Sequence, residues 1–128
     1  DRTLSMQNTH TEHSSASMTP LLLRTAARWK IPQDLALTVI ARDISCIYCN
    51  REFGDPQGPR ASCPSWEHIV NDESIVNLAN IALCCVGCNA SKGTKPLKLW
   101  LNAKYCSDRS ITPQSMARVA KESLASAT

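Results

Sequence analysis

Four thiols arrive in two Cys-x-x-Cys pairs, Cys46-Ile47-Tyr48-Cys49 and Cys85-Val86-Gly87-Cys88. One such pair is a weak signal, because redox sites use it and chance produces it. Two pairs, with residues 50–84 between them, offer thiolates in the number and grouping that a tetrahedral Zn²⁺ site takes. Between the pairs stands Trp66-Glu67-His68-Ile69, and directly after the last thiol comes Asn89-Ala90-Ser91-Lys92-Gly93. Carboxylate, imidazole and amide are hard or borderline ligands that a closed four-thiolate site does not need. That surplus points to a second metal and to chemistry. Cys84 directly precedes Cys85, but only Cys85 has a partner at the pair spacing, and Cys84 suits a buried apolar position.

The run Asn80-Ile81-Ala82-Leu83-Cys84-Cys85-Val86-Gly87-Cys88-Asn89-Ala90-Ser91-Lys92-Gly93 resembles the signature of HNH endonucleases with a four-cysteine zinc site. Their pattern is an acidic residue and His, a spacer, Asn-Leu-x-x-x-Cys-x-x-Cys, then His or Asn, then x-x-Lys-Gly. The resemblance covers residues 46–93 and does not reach residues 1–40 or 104–128. It implies a ββα-metal unit, in which a two-stranded hairpin and a helix hold one divalent cation. Carried over to this chain, it makes His68 the general base, Glu67 and Asn89 the cation's protein ligands, and Asn80 the middle Asn. It implies structural Zn²⁺ on Cys46, Cys49, Cys85 and Cys88, a catalytic Mg²⁺ or Mn²⁺, and hydrolysis of DNA phosphodiester bonds by nicking or double-strand cleavage.

Two departures from the pattern bear on the site. Glu67 stands where Asp is commoner, and Val70-Asn71-Asp72-Glu73 replaces the usual Pro and Gly-Gly after the His. Asp72 and Glu73 are then either extra ligands or part of a solvated loop. Asn89, where His is common, makes a harder and weaker site that favours Mg²⁺ or Mn²⁺. Lys92 follows Asn89 by one helical turn and reads as a phosphate contact or as an ordinary surface lysine.

The residue chemistry stands beside the resemblance. Phosphodiester hydrolysis needs an activated water, neutralised charge on the phosphorane and a stabilised leaving oxygen. One hard cation supplies the last two, which leaves a single base to activate water. Imidazole exchanges protons near neutral pH and suits that task. Glu67 and His68 are strand neighbours whose side chains point to opposite faces, so serving one site requires a bend or a cation at the strand's edge. Asn80 can bond backbone across the intervening loop and fix its shape. Asn77 competes for that role, but Asn80 lies at the required distance before Cys85.

The surrounding chain must position these groups. At 128 residues it reads as one domain, with 5% aromatic residues and a single Phe, so its core leans on Leu, Ile, Val and Ala. Small domains with thin cores need a staple, and structural zinc supplies roughly 10–16 kcal/mol in small fingers. The fold class expected is α+β: a mostly helical small domain around the hairpin-and-helix core. Residues 1–18 read as a polar, disordered leader, with His10 and His13 as solvated histidines. The single domain then runs over 19–128. It comprises a helical platform at 19–43, started by Thr19-Pro20 and by Pro32, and a metal-binding core at 44–103. A last helix at 112–126 is capped by Thr112-Pro113. Within the core, 50–65 is loop, 66–69 and 81–84 are partnered strands, and 96–101 is a short amphipathic helix.

Seven cysteines, an odd number, argue against a closed disulfide framework, and no apolar run is long enough to span a bilayer. With no signal-peptide pattern, the setting expected is cytoplasmic, bacterial or phage-encoded, with Cys63, Cys84 and Cys106 as free thiols. The net charge of +3 is uneven: residues 1–88 balance to −2 and residues 89–128 to +5. The basic C-terminal third, with Lys92, Lys95 and Lys98, suits DNA, although a solvated helix surface accounts for a balance this small equally well. No membrane partner is expected, and a homodimer stays open. The alternative function is a non-catalytic zinc-stapled module that binds nucleic acid or protein. A thiol redox enzyme is disfavoured, since no βαβ pattern accompanies the Cys-x-x-Cys pairs.

Overall fold

The computed structural model describes residues 18–127. The expectations for the N-terminal leader and for His10 and His13 lie outside them, apart from Met18, which is helical. Helix α1 covers 18–28 in the described residues, and α2 is Gln33–Arg42 with Pro32 at its N-cap. A single 3₁₀ turn at Arg60–Ser62 leads into strand β1, Pro64–His68, and the hairpin returns as β2, Ile81–Cys85. Four helices follow: α3 (Val86–Lys92), α4 (Leu97–Trp100), α5 (Lys104–Asp108) and α6 (Arg118–Ser126). The result is a small α+β fold.

The two strands are antiparallel, with Trp66 opposite Leu83, Glu67 opposite Ala82 and His68 opposite Ile81. Alternation sorts their side chains to two cores. Trp66, Ile81 and Leu83 pack with Leu22, Ala26, Ala36 and Val39 of α1 and α2. Ala82 and Cys84 pack with Tyr48, Trp100, Cys106 and Met116 in the other cluster. Every residue of β2 is buried, so its backbone groups need partners within the protein. Beyond the ladder to β1, Leu83 donates its N–H to Asp43 at 3.0 Å and accepts from Ile47 N–H at 3.3 Å. Arg42 donates to Ile81 O at 2.8 Å. The end of α2 therefore closes the outer edge of β2.

Helix α3 starts directly from β2 and is tied to β1 and the residues on either side of it by three residues, each one helical turn from the last. Val86 N–H donates to Cys63 O at 3.0 Å, Asn89 Nδ2 to Trp66 O at 3.0 Å and Lys92 Nζ to Ile69 O at 2.9 Å. Gly93 ends the helix at φ 53°, a left-handed backbone that glycine adopts without steric cost.

The C-terminal helix begins later than its sequence suggests. Thr112 N–H donates to Ser115 Oγ at 2.9 Å and Ser115 N–H to Thr112 Oγ1 at 3.1 Å, a reciprocal pair that closes Pro113 into a turn. Ala117 N–H is then taken by Ile47 O at 2.8 Å, so helical hydrogen bonding starts only at Arg118. Helix α5 has no sequence counterpart in the expectation. Among the described residues, no helix is long and apolar enough to cross a membrane.

Candidate active site and metal centre

The four expected cysteines converge. Cys46 and Cys49 sit on a tight turn in which Asn50 N–H donates to Cys46 O at 3.0 Å and Cys46 N–H to Arg51 O at 2.9 Å. Asn50 turns the chain at φ 64°, a region Asn tolerates better than most residues, and its side chain holds Ser115 O at 2.6 Å. Cys85 closes β2 and Cys88 lies in the first turn of α3, with Cys88 N–H donating to Cys85 Sγ at 3.4 Å. The ligand atoms of Cys46, Cys49, Cys85 and Cys88 all lie within 4.8 Å of one another. A tetrahedral site with Zn–S bonds of about 2.3 Å has S···S edges of about 3.8 Å. Cys49 Sγ and Cys85 Sγ are 3.8 Å apart. The cluster can thus hold one tetrahedral metal ion such as zinc.

Hydrogen bonding divides the cluster's acidity. The bond from Cys46 pulls the Cys49 thiol down to about 6, and bonds from Cys46 and then Cys49 lower that of Cys85. Cys46 and Cys88 are raised in turn, by their bonds to Cys49 and to Cys46 respectively. A cation that takes four thiolates removes the need for this division. Tyr105 Oη, raised by burial and then by Cys88, reaches Cys88 Sγ at 3.4 Å. Cys63, Cys84 and Cys106 stay outside the cluster; Cys84 is fully buried, and burial raises its thiol.

Glu67 and His68 face opposite ways, as strand neighbours must, and regular pairing on both sides leaves no bend between them. The Glu67 carboxylate is buried and receives Tyr48 Oη at 2.6 Å on Oε2. Lys92 Nζ lies 3.2 Å from the same oxygen. Burial raises the Glu67 carboxyl, opposed first by Lys92 and then by Tyr48. Lys92 therefore corrects the expectation made for it. At 1% exposure it is not a surface lysine, and its ammonium meets Glu67 and Ile69 O. Its spacing from Asn89, one turn along the face tied to β1, was the signal available.

His68 turns to the α1 side, where it meets the Trp29 ring in a T-shaped contact with centroids 5.8 Å apart. Its Nε2 is out of solvent and lacks a hydrogen-bond partner among the described residues. Asn89 uses its amide nitrogen on Ser65 Oγ and Trp66 O, both at 3.0 Å, which leaves Oδ1 as its acceptor. Asn80 binds across the hairpin loop. It accepts Val70 N–H at 2.7 Å and donates to Val70 O at 3.2 Å and Ile75 O at 3.0 Å. Asn77 serves the same loop differently, accepting the N–H groups of Ala79 and Asn80 at 3.0 Å.

Of the remaining expected groups, Asp72 forms a local turn with Ser74, whose hydrogen bonds lower its carboxyl, and Glu73 is exposed. Lys95 and Lys98 are exposed, and Lys95 Nζ reaches Ser91 O at 3.1 Å. Tyr48, inside the first Cys-x-x-Cys pair, was not anticipated as Glu67's partner. No protein-family model matches this chain, and no curated protein or solved structure gives a significant match.

Proposed function

We propose that this chain is a metal-dependent endonuclease of the HNH kind, hydrolysing DNA phosphodiester bonds. One observation carries the reading. Glu67 and His68 on β1, Asn80 across the hairpin loop and Asn89 on α3 occupy one hairpin-and-helix unit, in the chain order the resemblance requires. Zinc on the four thiols is the staple that fixes the start of α3 to the turn at 46–49.

On this reading a second cation would use donor atoms that the rest of the unit leaves over. Among the described residues no hydrogen bond falls on Asn89 Oδ1 or His68 Nε2, and both contacts to Glu67 fall on Oε2, which leaves Oε1. Glu67 and Asn89 would hold the cation; when bound, it neutralises phosphate charge and stabilises the leaving oxygen. His68 then takes the proton from water, and Trp29 fixes its ring. Tyr48 and Lys92 hold Glu67 by its other oxygen, so the carboxylate cannot rotate freely.

The second reading, a non-catalytic zinc-stapled binding module, is favoured by the same ion pair. Lys92 already supplies Glu67 with one positive charge, which weakens its pull on a cation. Plasmid nicking with Mg²⁺, Mn²⁺, Ni²⁺ and Zn²⁺, beside His68→Ala, separates the two. On the nuclease reading His68→Ala loses the roughly 10²–10⁴-fold that general-base catalysis supplies, while DNA binding persists. Cleavage by purified His68→Ala at the wild-type rate defeats it.

A further inference from the structure

A cleft of about 510 Å³ lies between the end of α1, the loop before β1 and the start of α3. Arg28, Trp29, Arg60, Ser65 and Asn89 are among its lining, and no acidic side chain is. Among the described residues neither arginine takes part in an ion pair, although the protein pairs four other basic residues. Both arginines are exposed, and Trp29 is 46% exposed, unusual for so large an apolar ring.

Trp29 is held in place by how α1 ends. Ile31 N–H donates to Ala26 O at 3.0 Å and Lys30 N–H to Ala27 O at 3.1 Å, with Lys30 at φ 60°. Such a helix stop normally uses glycine, and here a lysine accepts the left-handed backbone. Ile31 is buried beneath the turn, so the turn cannot slide. The indole meets the His68 ring in an edge-type contact, with the planes inclined at 62°, while it also lines the cleft. Asn89 lines it from the other side.

We propose that this cleft seats a single DNA strand, with Trp29 stacking an unpaired base and Arg28 and Arg60 gripping its phosphates. The choice of DNA rests on the nuclease reading; the cleft itself rests on charge and an exposed ring. Two arginines in no ion pair among the described residues, in a cleft lined by no acidic side chain, complement a polyanion. A flat aromatic face beside them suits a base whose own face is uncovered, which a stacked duplex does not offer. Strand recognition thereby moves from the C-terminal lysines to residues outside the motif. A strand so seated would run beside Asn89, with His68 reached through its contact with Trp29.

The test is fluorescence anisotropy of a short labelled single-stranded oligonucleotide, without divalent cation, with a matched duplex alongside. Trp29→Ala is expected to weaken single-strand binding about 5- to 150-fold, the range that base–aromatic stacking is worth, and to affect duplex binding less. Trp29→Phe should recover much of it, which guards against a folding defect in the alanine variant. Arg28→Glu with Arg60→Glu, both on exposed positions, should lower the salt slope by roughly 0.7 for each phosphate no longer neutralised. Unchanged affinity and salt slope in these variants overturn the proposal, even where His68-dependent cleavage upholds the nuclease reading. Conversely, losses as described in a protein that cleaves nothing with any cation uphold the cleft while the nuclease reading fails.

Discussion

Replacing Lys92 by Met isolates the buried ion pair, because Met keeps most of the stem's volume and removes the charge. Lys92 Nζ lies 3.2 Å from Glu67, with side-chain exposures of 1% and 6%. Removing one partner of a buried pair costs about 3–5 kcal/mol, a large share of the ~5–15 kcal/mol that holds a domain folded. Protonation of Glu67 recovers part of that loss. Burial already raises its carboxyl and Lys92 is the chief opposing influence, so deleting Lys92 raises it further. A carboxyl whose folded-state value lies above the unfolded one, near 4.3, costs nothing below that value. Its cost then grows as pH rises through the folded value. Lys92→Met should therefore be less damaging near pH 5 than near pH 8. Urea unfolding with zinc supplied, at both pH values, measures it. Adding Glu67→Gln to Lys92→Met should restore much of the stability at the higher pH, since no unpaired charge remains. A loss below about 1 kcal/mol that is equal at both pH values would refute the reasoning. So would a double variant no better than the single one.

Cys85→Ser removes one of the thiols that join β2 and α3 to the turn at 46–49, and is expected to abolish cooperative unfolding and metal content together. Elemental analysis of protein purified without added metal, read beside circular dichroism, checks it; a soluble, cooperatively folding variant without zinc counts against the staple. Asn80→Ala strands Val70 N–H, Val70 O and Ile75 O in a partly buried loop. It should cost about 1–3 kcal/mol by urea titration, and an unaffected midpoint would mean that water replaces the amide. Asn77→Ala, which acts on more exposed groups, should cost less.

The parts of this site that were legible in the sequence are those set by local geometry. The Cys-x-x-Cys spacing pointed to Cys85 rather than Cys84, and it is the Cys85 sulfur that joins Cys46, Cys49 and Cys88 while Cys84 packs in the apolar core beside them. Asn80 was legible for a similar reason, since only a residue at the foot of the hairpin can reach Val70 and Ile75 across the loop. Tertiary partners were not. Arg28, Trp29 and Arg60 meet Asn89 in one cleft only after α1 has folded over β1, and no short-range pattern links them. The start of α6 was missed because Thr112 and Ser115 satisfy each other's backbone, a competition that Thr-Pro alone does not reveal.

Lys92 is the instructive failure. Charge suggested solvent, while position dictated the interior: Val86, Asn89 and Lys92 recur every three residues, and all of them bond to β1 or to the residues directly beside it. A lysine on that face reaches the strand whether or not solvent would suit it better. Its burial is sustainable only because β1 presents a carboxylate within reach. The two motif residues thus constrain each other. Glu67 keeps Lys92 inside, and Lys92 sets how much of Glu67's charge remains for anything else bound between β1 and α3. An activity that depends on a cation at Glu67 must then depend on Lys92 as well, through a residue that never touches the substrate.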